Sequence, residues 1–119
     1  MGKNLKGITI EIGGDTTQLN KALESVNQKT KSLTGELKGV NSLLKMDPGN
    51  VTLLVQKQDI LNGAIGETKK KLETLKEAQN QVQEQFDKGE ITEEQYRDFQ
   101  REIVATEKKL ESLTDELKE

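Results

Sequence analysis

The chain has no cysteine, no histidine and no tryptophan, one proline, and only one tyrosine and two phenylalanines among its 119 residues. Without cysteine there is no disulfide framework and no thiolate ligand. Without histidine the commonest metal ligand and the commonest acid–base group are gone. Carboxylates are abundant, but no paired-acid, nucleophile or metal-ligand spacing accompanies them, so the chain reads as a non-enzyme with no cofactor or metal. No apolar run approaches the ~20 residues that span a bilayer. Polar residues interrupt Ile8, Ile10 and Ile12, so the N-terminus has no signal core, and no membrane is expected as a partner of this segment. The formal net charge is -3, whereas a duplex-binding surface carries a basic excess. Three aromatic rings are too few for a stacking platform, and no nucleic-acid partner is expected either.

What is present is charge and helix-forming residues. Charged side chains make up 33% of the chain and aromatics 3%. So few large side chains do not fill a thick globular core, and narrow apolar seams between long helices fit better. The odd stretch is "GITIEIGGD". Ile8, Ile10 and Ile12 alternate with Thr9 and Glu11, the period of a strand with one apolar face. Residues 1–14 read as this strand and its turn. Gly13 and Gly14 read as a tight strand-to-helix turn, in preference to a phosphate cradle. No second strand is apparent, so the strand's partner is expected to be another chain.

Three helices follow, over 15–46, 48–87 and 91–119. The first opens where Asp15, Thr16 or Thr17 offers an N-cap. It carries Leu19, Leu23, Val26, Leu33, Leu37, Val40 and Leu44. With Thr30 in the gap the steps alternate three and four, the coiled-coil period. "KMDPGNV" breaks it, with Asp47 as cap and Pro48 as first residue of the next helix. That second helix carries Val51, Leu54, Leu61, Ile65, Leu72, Leu75, Val82 and Phe86, with Gln58, Thr68 and Gln79 in the gaps. Gly63 and Gly66 mark a bend, a close helix approach or a tolerated weak spot. Gly89 closes the helix, and Thr92 and Gln95 have capping-box spacing for the third. Tyr96, Phe99, Ile103, Leu110, Leu113 and Leu117 follow, with Thr106 in the gap. No C-cap glycine or proline accompanies "DELKE", so the third helix reads as one that continues in a longer protein.

The fold class is therefore all-α: three long helices forming antiparallel coiled-coil hairpins, preceded by one short strand. The seam comprises Leu23, Val26, Leu33, Leu37, Val40, Leu54, Leu61, Ile65, Leu72, Leu75, Val82, Phe86, Phe99, Ile103 and Leu110. For the polar positions Thr30, Gln58, Thr68, Gln79 and Thr106 two readings stand: devices that set register, or ordinary imperfections of a long coiled coil. Lys69-Lys70-Lys71 reads as a solvated face, with Glu67 and Glu73 placed for i,i+4 pairs with Lys71 and Lys69. Asn50-Val51-Thr52 matches a glycosylation acceptor by chance. Helices one and three both reach the segment from Ile65 to Leu75, where helix two serves both neighbours, bends, or hands one of them to another chain, and the outer zones read as two-helix hairpins. Thin hairpins favour self-association. Ile8, Ile10 and Ile12, with Leu53, Val55 and Ile60 turned off the seam, are the expected contacts of a homo-oligomer, a dimer or a trimer.

Taken together, "KGITIEIGGDTTQLNKAL", "LLKMDPGN" and "LETLKEAQNQVQEQFDKGEITEEQY" resemble the N-terminal region of phage tail tape measure proteins of Gram-positive siphophages and prophages. The resemblance covers most of the chain and brings no catalytic motif. It implies a virion structural protein of the tail, present in host cytoplasm during assembly, that takes part in tail assembly and whose helical length determines tail length. It also implies tail assembly chaperones and tail tube proteins as partners. Two other classes are a secreted helical hairpin of the type VII kind and a nucleic-acid-binding coiled coil. The first lacks its Trp-x-Gly turn here, and the charge balance opposes the second.

Overall fold

A computed structural model describes residue 5 and residues 7–118; the parts of the terminal segments that fall on residues 1–4, 6 and 119 lie outside it. Two short strands, β1 (Thr9–Ile12) and β2 (Asp15–Gln18), precede three helices, α1 (Leu19–Met46), α2 (Val51–Asp87) and α3 (Glu93–Lys118). The molecule is a rod of 57 × 25 × 21 Å, its length close to the ~55 Å that a helix of α2's size spans at ~1.5 Å per residue. The three-helix architecture is the expected one.

The strand is not alone. β1 pairs antiparallel with β2, Ile12 opposite Asp15 and Thr9 opposite Gln18. Gly13 and Gly14 both have positive φ, 59° and 87°, which is what a two-residue loop of the I′ kind demands and what glycine adopts without steric cost. The expectation of a partner strand in another chain is thereby corrected, as is the expected helix start at Asp15. Residues 15–18 are strand, and α1 begins at Leu19 with no side-chain cap. Its first amide donates instead to the Ile8 carbonyl at 2.9 Å.

The other edge of β1 is covered by α2. The Gln81 side chain accepts from the Glu11 amide at 2.5 Å and donates to the Glu11 carbonyl at 3.2 Å. Gln85 does the same for Thr9, accepting at 3.4 Å and donating through its own amide. Residues i and i+4 of a helix lie ~6 Å apart along the axis, close to the ~6.7 Å between i and i+2 of a strand. Two glutamines one turn apart therefore satisfy two strand residues. Gln81→Ala with Gln85→Ala is expected to lower stability by about 2 kcal/mol or more, since it removes four bonds whose net worth is about 0.5–1.5 kcal/mol each; a shift of the urea midpoint at constant slope checks it.

The turns follow their local chemistry with one change. Asp47 ends α1, its amide bonded to the Leu43 carbonyl, and Asn50, not Asp47, caps α2 by accepting from the Leu53 amide at 3.1 Å. Pro48 therefore lies in the turn and not in the first helical position. At the second turn Gly89 has φ 74°. The Gln95 amide then donates to Thr92 Oγ1 at 3.0 Å and the Thr92 amide to Gln95 Oε1 at 2.8 Å, a reciprocal capping box. Among the described residues no helix is long and apolar enough to cross a membrane.

Candidate functional site: a polar layer between two cores

α1 and α3 both run antiparallel to α2 and flank it. The buried positions fall into layers one heptad apart. Leu23, Leu75 and Phe99 belong to one apolar cluster, and Leu37, Leu61 and Leu113 to another. Halfway between them lie Thr30, Thr68 and Thr106, one from each helix and all buried. The larger, proximal cluster also takes in Leu5, Ile8, Ile10, Leu19, Ala78, Val82 and Ile91. The smaller, distal cluster adds only Ala64 as a buried member, with Leu33, Ile60, Ile65 and Leu117 packed around it.

Each threonine hydroxyl of the middle layer is satisfied within its own helix. Thr30 donates to the Val26 carbonyl at 2.8 Å, Thr68 to Ala64 at 2.7 Å and Thr106 to Glu102 at 2.7 Å. Back-bonding of this sort keeps a buried hydroxyl from being left unpaired, which would cost about 1–3 kcal/mol. Beside the layer, Lys71 Nζ donates to Glu102 Oε1 at 2.7 Å, with side chains only 18% and 14% exposed. Thr30, Thr68, Lys71, Glu102 and Thr106 line one cleft of about 530 Å³ between α1 and α3.

The expected pair of Lys71 with Glu67 is corrected by this geometry: Lys71 crosses to α3, and Glu67 takes Lys70 at 3.6 Å and Lys29 at 4.0 Å. Lys71 is thus part of the helix interface and not of a solvated face. Lys71→Met is expected to destabilise by about 1.5–3 kcal/mol, because it leaves the Glu102 carboxylate half-buried without its partner. Adding Glu102→Leu should restore most of the loss, and a double-mutant cycle on thermal unfolding measures the difference.

The expected site residues are placed as follows. Of the seam, Leu23, Leu37, Val40, Leu61, Leu75, Val82 and Phe99 are buried, while Val26, Leu33, Ile65, Leu72, Phe86, Ile103 and Leu110 are half-buried. Leu54 is exposed. Gln58 and Gln79 face solvent, so among the polar seam positions only the three threonines form an interior layer. The expected association residues do not form one surface. Ile8 and Ile10 are buried in the chain's own proximal core, and Ile12 is 54% exposed at the hairpin turn. Leu53 and Ile60 are half-buried and Val55 is exposed, toward the opposite end of the rod. The three-helix overlap also extends beyond Ile65–Leu75, since the proximal and distal clusters each hold side chains of α1, α2 and α3. Ala64, Ala78 and Ile91 are interior as well, outside the apolar seam of the sequence; the signal for the two alanines is their spacing of two heptads on the flank of the Leu61–Thr68–Leu75–Val82 line.

Leu43, Met46, Val51, Leu54 and Val55 are exposed around the first turn. There Glu116 and Leu117 of α3 line an open cleft with Val51, Leu54 and Leu61 of α2. Lys57 meets Glu116 at 3.6 Å, and Asn41 donates to Glu116 at 3.3 Å.

The chain is 28% identical over 110 residues to a probable tape measure protein of Lactococcus phage SK1. The likeness is to one segment of that tape measure protein. It covers 92% of this chain, which spans 11% of the phage protein's length. No family model matches the chain, and no solved structure matches it.

Proposed function

We propose that the chain is a structural segment of a phage tail, of the tape measure kind, from the N-terminal region of such a protein. The observation that carries this is the likeness to a probable tape measure protein along 92% of the chain. The rod-like helical architecture supports it. In this reading the segment has no catalytic role and takes part in tail assembly and in setting tail length. Tail assembly chaperones and tail tube proteins are its partners, and the chain self-associates as a dimer or trimer. Helix length is linear in residue number, which gives a helical chain the means to act as a ruler.

The test is made in a phage whose tail protein carries this segment. In-frame removal of whole heptads from α2 and α3, matched across the turn, is expected to give shorter tails in electron micrographs. Mass spectrometry of purified virions is expected to find the chain in the tail fraction. Absence of the chain from tails would overturn the structural reading. Tails of unchanged length that contain the shortened chain would overturn its part in length determination.

A further inference from the structure

We infer that the threonine layer is a built-in break point, at which the distal half of the bundle opens while the proximal half stays folded. The inference concerns the fold itself and does not rest on the tail reading.

Three independent features meet at this layer. First, it divides the apolar core. The proximal cluster joins ten buried side chains from the N-terminal region, the second turn and all three helices, whereas the distal one has four. Thr30, Thr68 and Thr106 turn their hydroxyls to their own helices, so no hydrogen bond ties one helix to another through these groups. The connections beside them run over the surface: Lys71 to Glu102, open to the cleft, Lys29 to Glu67 at 4.0 Å and Lys109 to Thr34 at 3.4 Å. Cooperativity across a bundle comes from continuous packing, and a polar layer interrupts it.

Second, every helical glycine among the described residues lies on the distal side: Gly35 and Gly39 in α1, Gly63 and Gly66 in α2. An added Cβ at Gly35, Gly39 or Gly66 meets nothing within 4 Å, and one at Gly63 meets Leu33 at an ordinary 3.5 Å. Packing does not require these glycines. Their consequence is a lower helix propensity confined to one half of the molecule. Third, the distal end exposes Leu43, Met46, Val51, Leu54 and Val55, so it holds less apolar burial against its own opening. The proximal end is instead closed by β1 and β2, by Gln81 and Gln85, and by Tyr96 stacked on Phe86 at 4.3 Å.

The single tyrosine makes the test direct, because Tyr96 sits in the proximal half alone. Urea unfolding is followed by tyrosine fluorescence and by far-ultraviolet circular dichroism on the same samples. Roughly half of the helical residues lie beyond the threonine layer. Ellipticity is therefore expected to fall in an early step of about that amplitude, before the tyrosine signal changes. Coincident transitions would overturn the inference. Gly35→Ala, Gly39→Ala and Gly66→Ala together are expected to move the early step to higher urea and leave the tyrosine midpoint in place. Equal movement of both signals would overturn it. Thr30→Val, Thr68→Val and Thr106→Val together join the two apolar clusters and are expected to bring the two transitions into one. A gap unchanged by the three valines would show that the layer is not the cause.

Discussion

Phe99→Ala is expected to lower the unfolding free energy of the proximal half by about 3–5 kcal/mol, the range for removing a buried phenylalanine from a packed core. Phe99 is the largest of the fully buried side chains, 1% exposed. It shares a cluster with Ile8 and Ile10 from the N-terminal region, Leu19 and Leu23 from α1, Leu75, Ala78 and Val82 from α2, and Ile91 from the second turn. No other layer gathers so many parts of the chain. The cavity left by alanine is bordered by two helices and a hairpin pinned by Gln81 and Gln85, which limits collapse into it, and cost grows with residual cavity volume. The tyrosine-detected urea midpoint should fall, with helix ellipticity of the distal half little changed. Val104→Ala, on an exposed position of the same helix, should stay within about 0.5 kcal/mol of the parent. Similar losses for the two variants would mean that α3 does not pack in the register described.

That register was largely legible. Leu23, Leu75 and Phe99, and likewise Leu37 and Leu61, stand in the apolar three-four pattern, and Thr92 with Gln95 announces the start of α3. What was not legible has physical causes. Asp15-Thr16-Thr17-Gln18 carries no apolar residue, and a strand is recognised mainly by the alternation its buried face imposes. β2 buries none of its residues, so it leaves no such mark in the sequence; the Gly13-Gly14 pair is the available signal, and on its own it reads as a turn into a helix. Lys71 illustrates a second limit. Local spacing offers Glu67 one turn away, while the partner it takes, Glu102, depends on how far α3 slides along α2. The layer of threonines needed both kinds of information. Each residue occupies a seam position in its own helix, but only the fold brings Thr30, Thr68 and Thr106 to one level.

Ile8→Asp and Ile12→Asp are expected to differ sharply, and the contrast settles what the N-terminal isoleucines do. The two residues look alike in the sequence, on the same face of an alternating segment. In the fold Ile8 is fully buried, 0% exposed, whereas Ile12 is 54% exposed beside the Gly13-Gly14 loop. An aspartate at position 8 would place a carboxylate in the apolar cluster that holds Leu19, Leu23, Val82 and Phe99. Burying an unpaired charge exceeds the loss of a methyl-rich side chain, which alone is worth about 1.5–3 kcal/mol. The hairpin would instead leave the helices, expose the proximal core and release the bonds from Gln81 and Gln85. A loss of about 4 kcal/mol or more in the tyrosine-detected transition is expected, near the upper end of what single substitutions do. Ile12→Asp adds a charge where water already reaches and is expected to change stability by less than about 1 kcal/mol. Light scattering on the same samples separates folding from association. If β1 served chiefly as a contact to another chain, Ile12→Asp would dissociate an oligomer and Ile8→Asp would leave the monomer's stability intact. The intramolecular pairing of β1 with β2 requires the reverse: Ile8→Asp destabilises each chain, and Ile12→Asp leaves its folding unchanged.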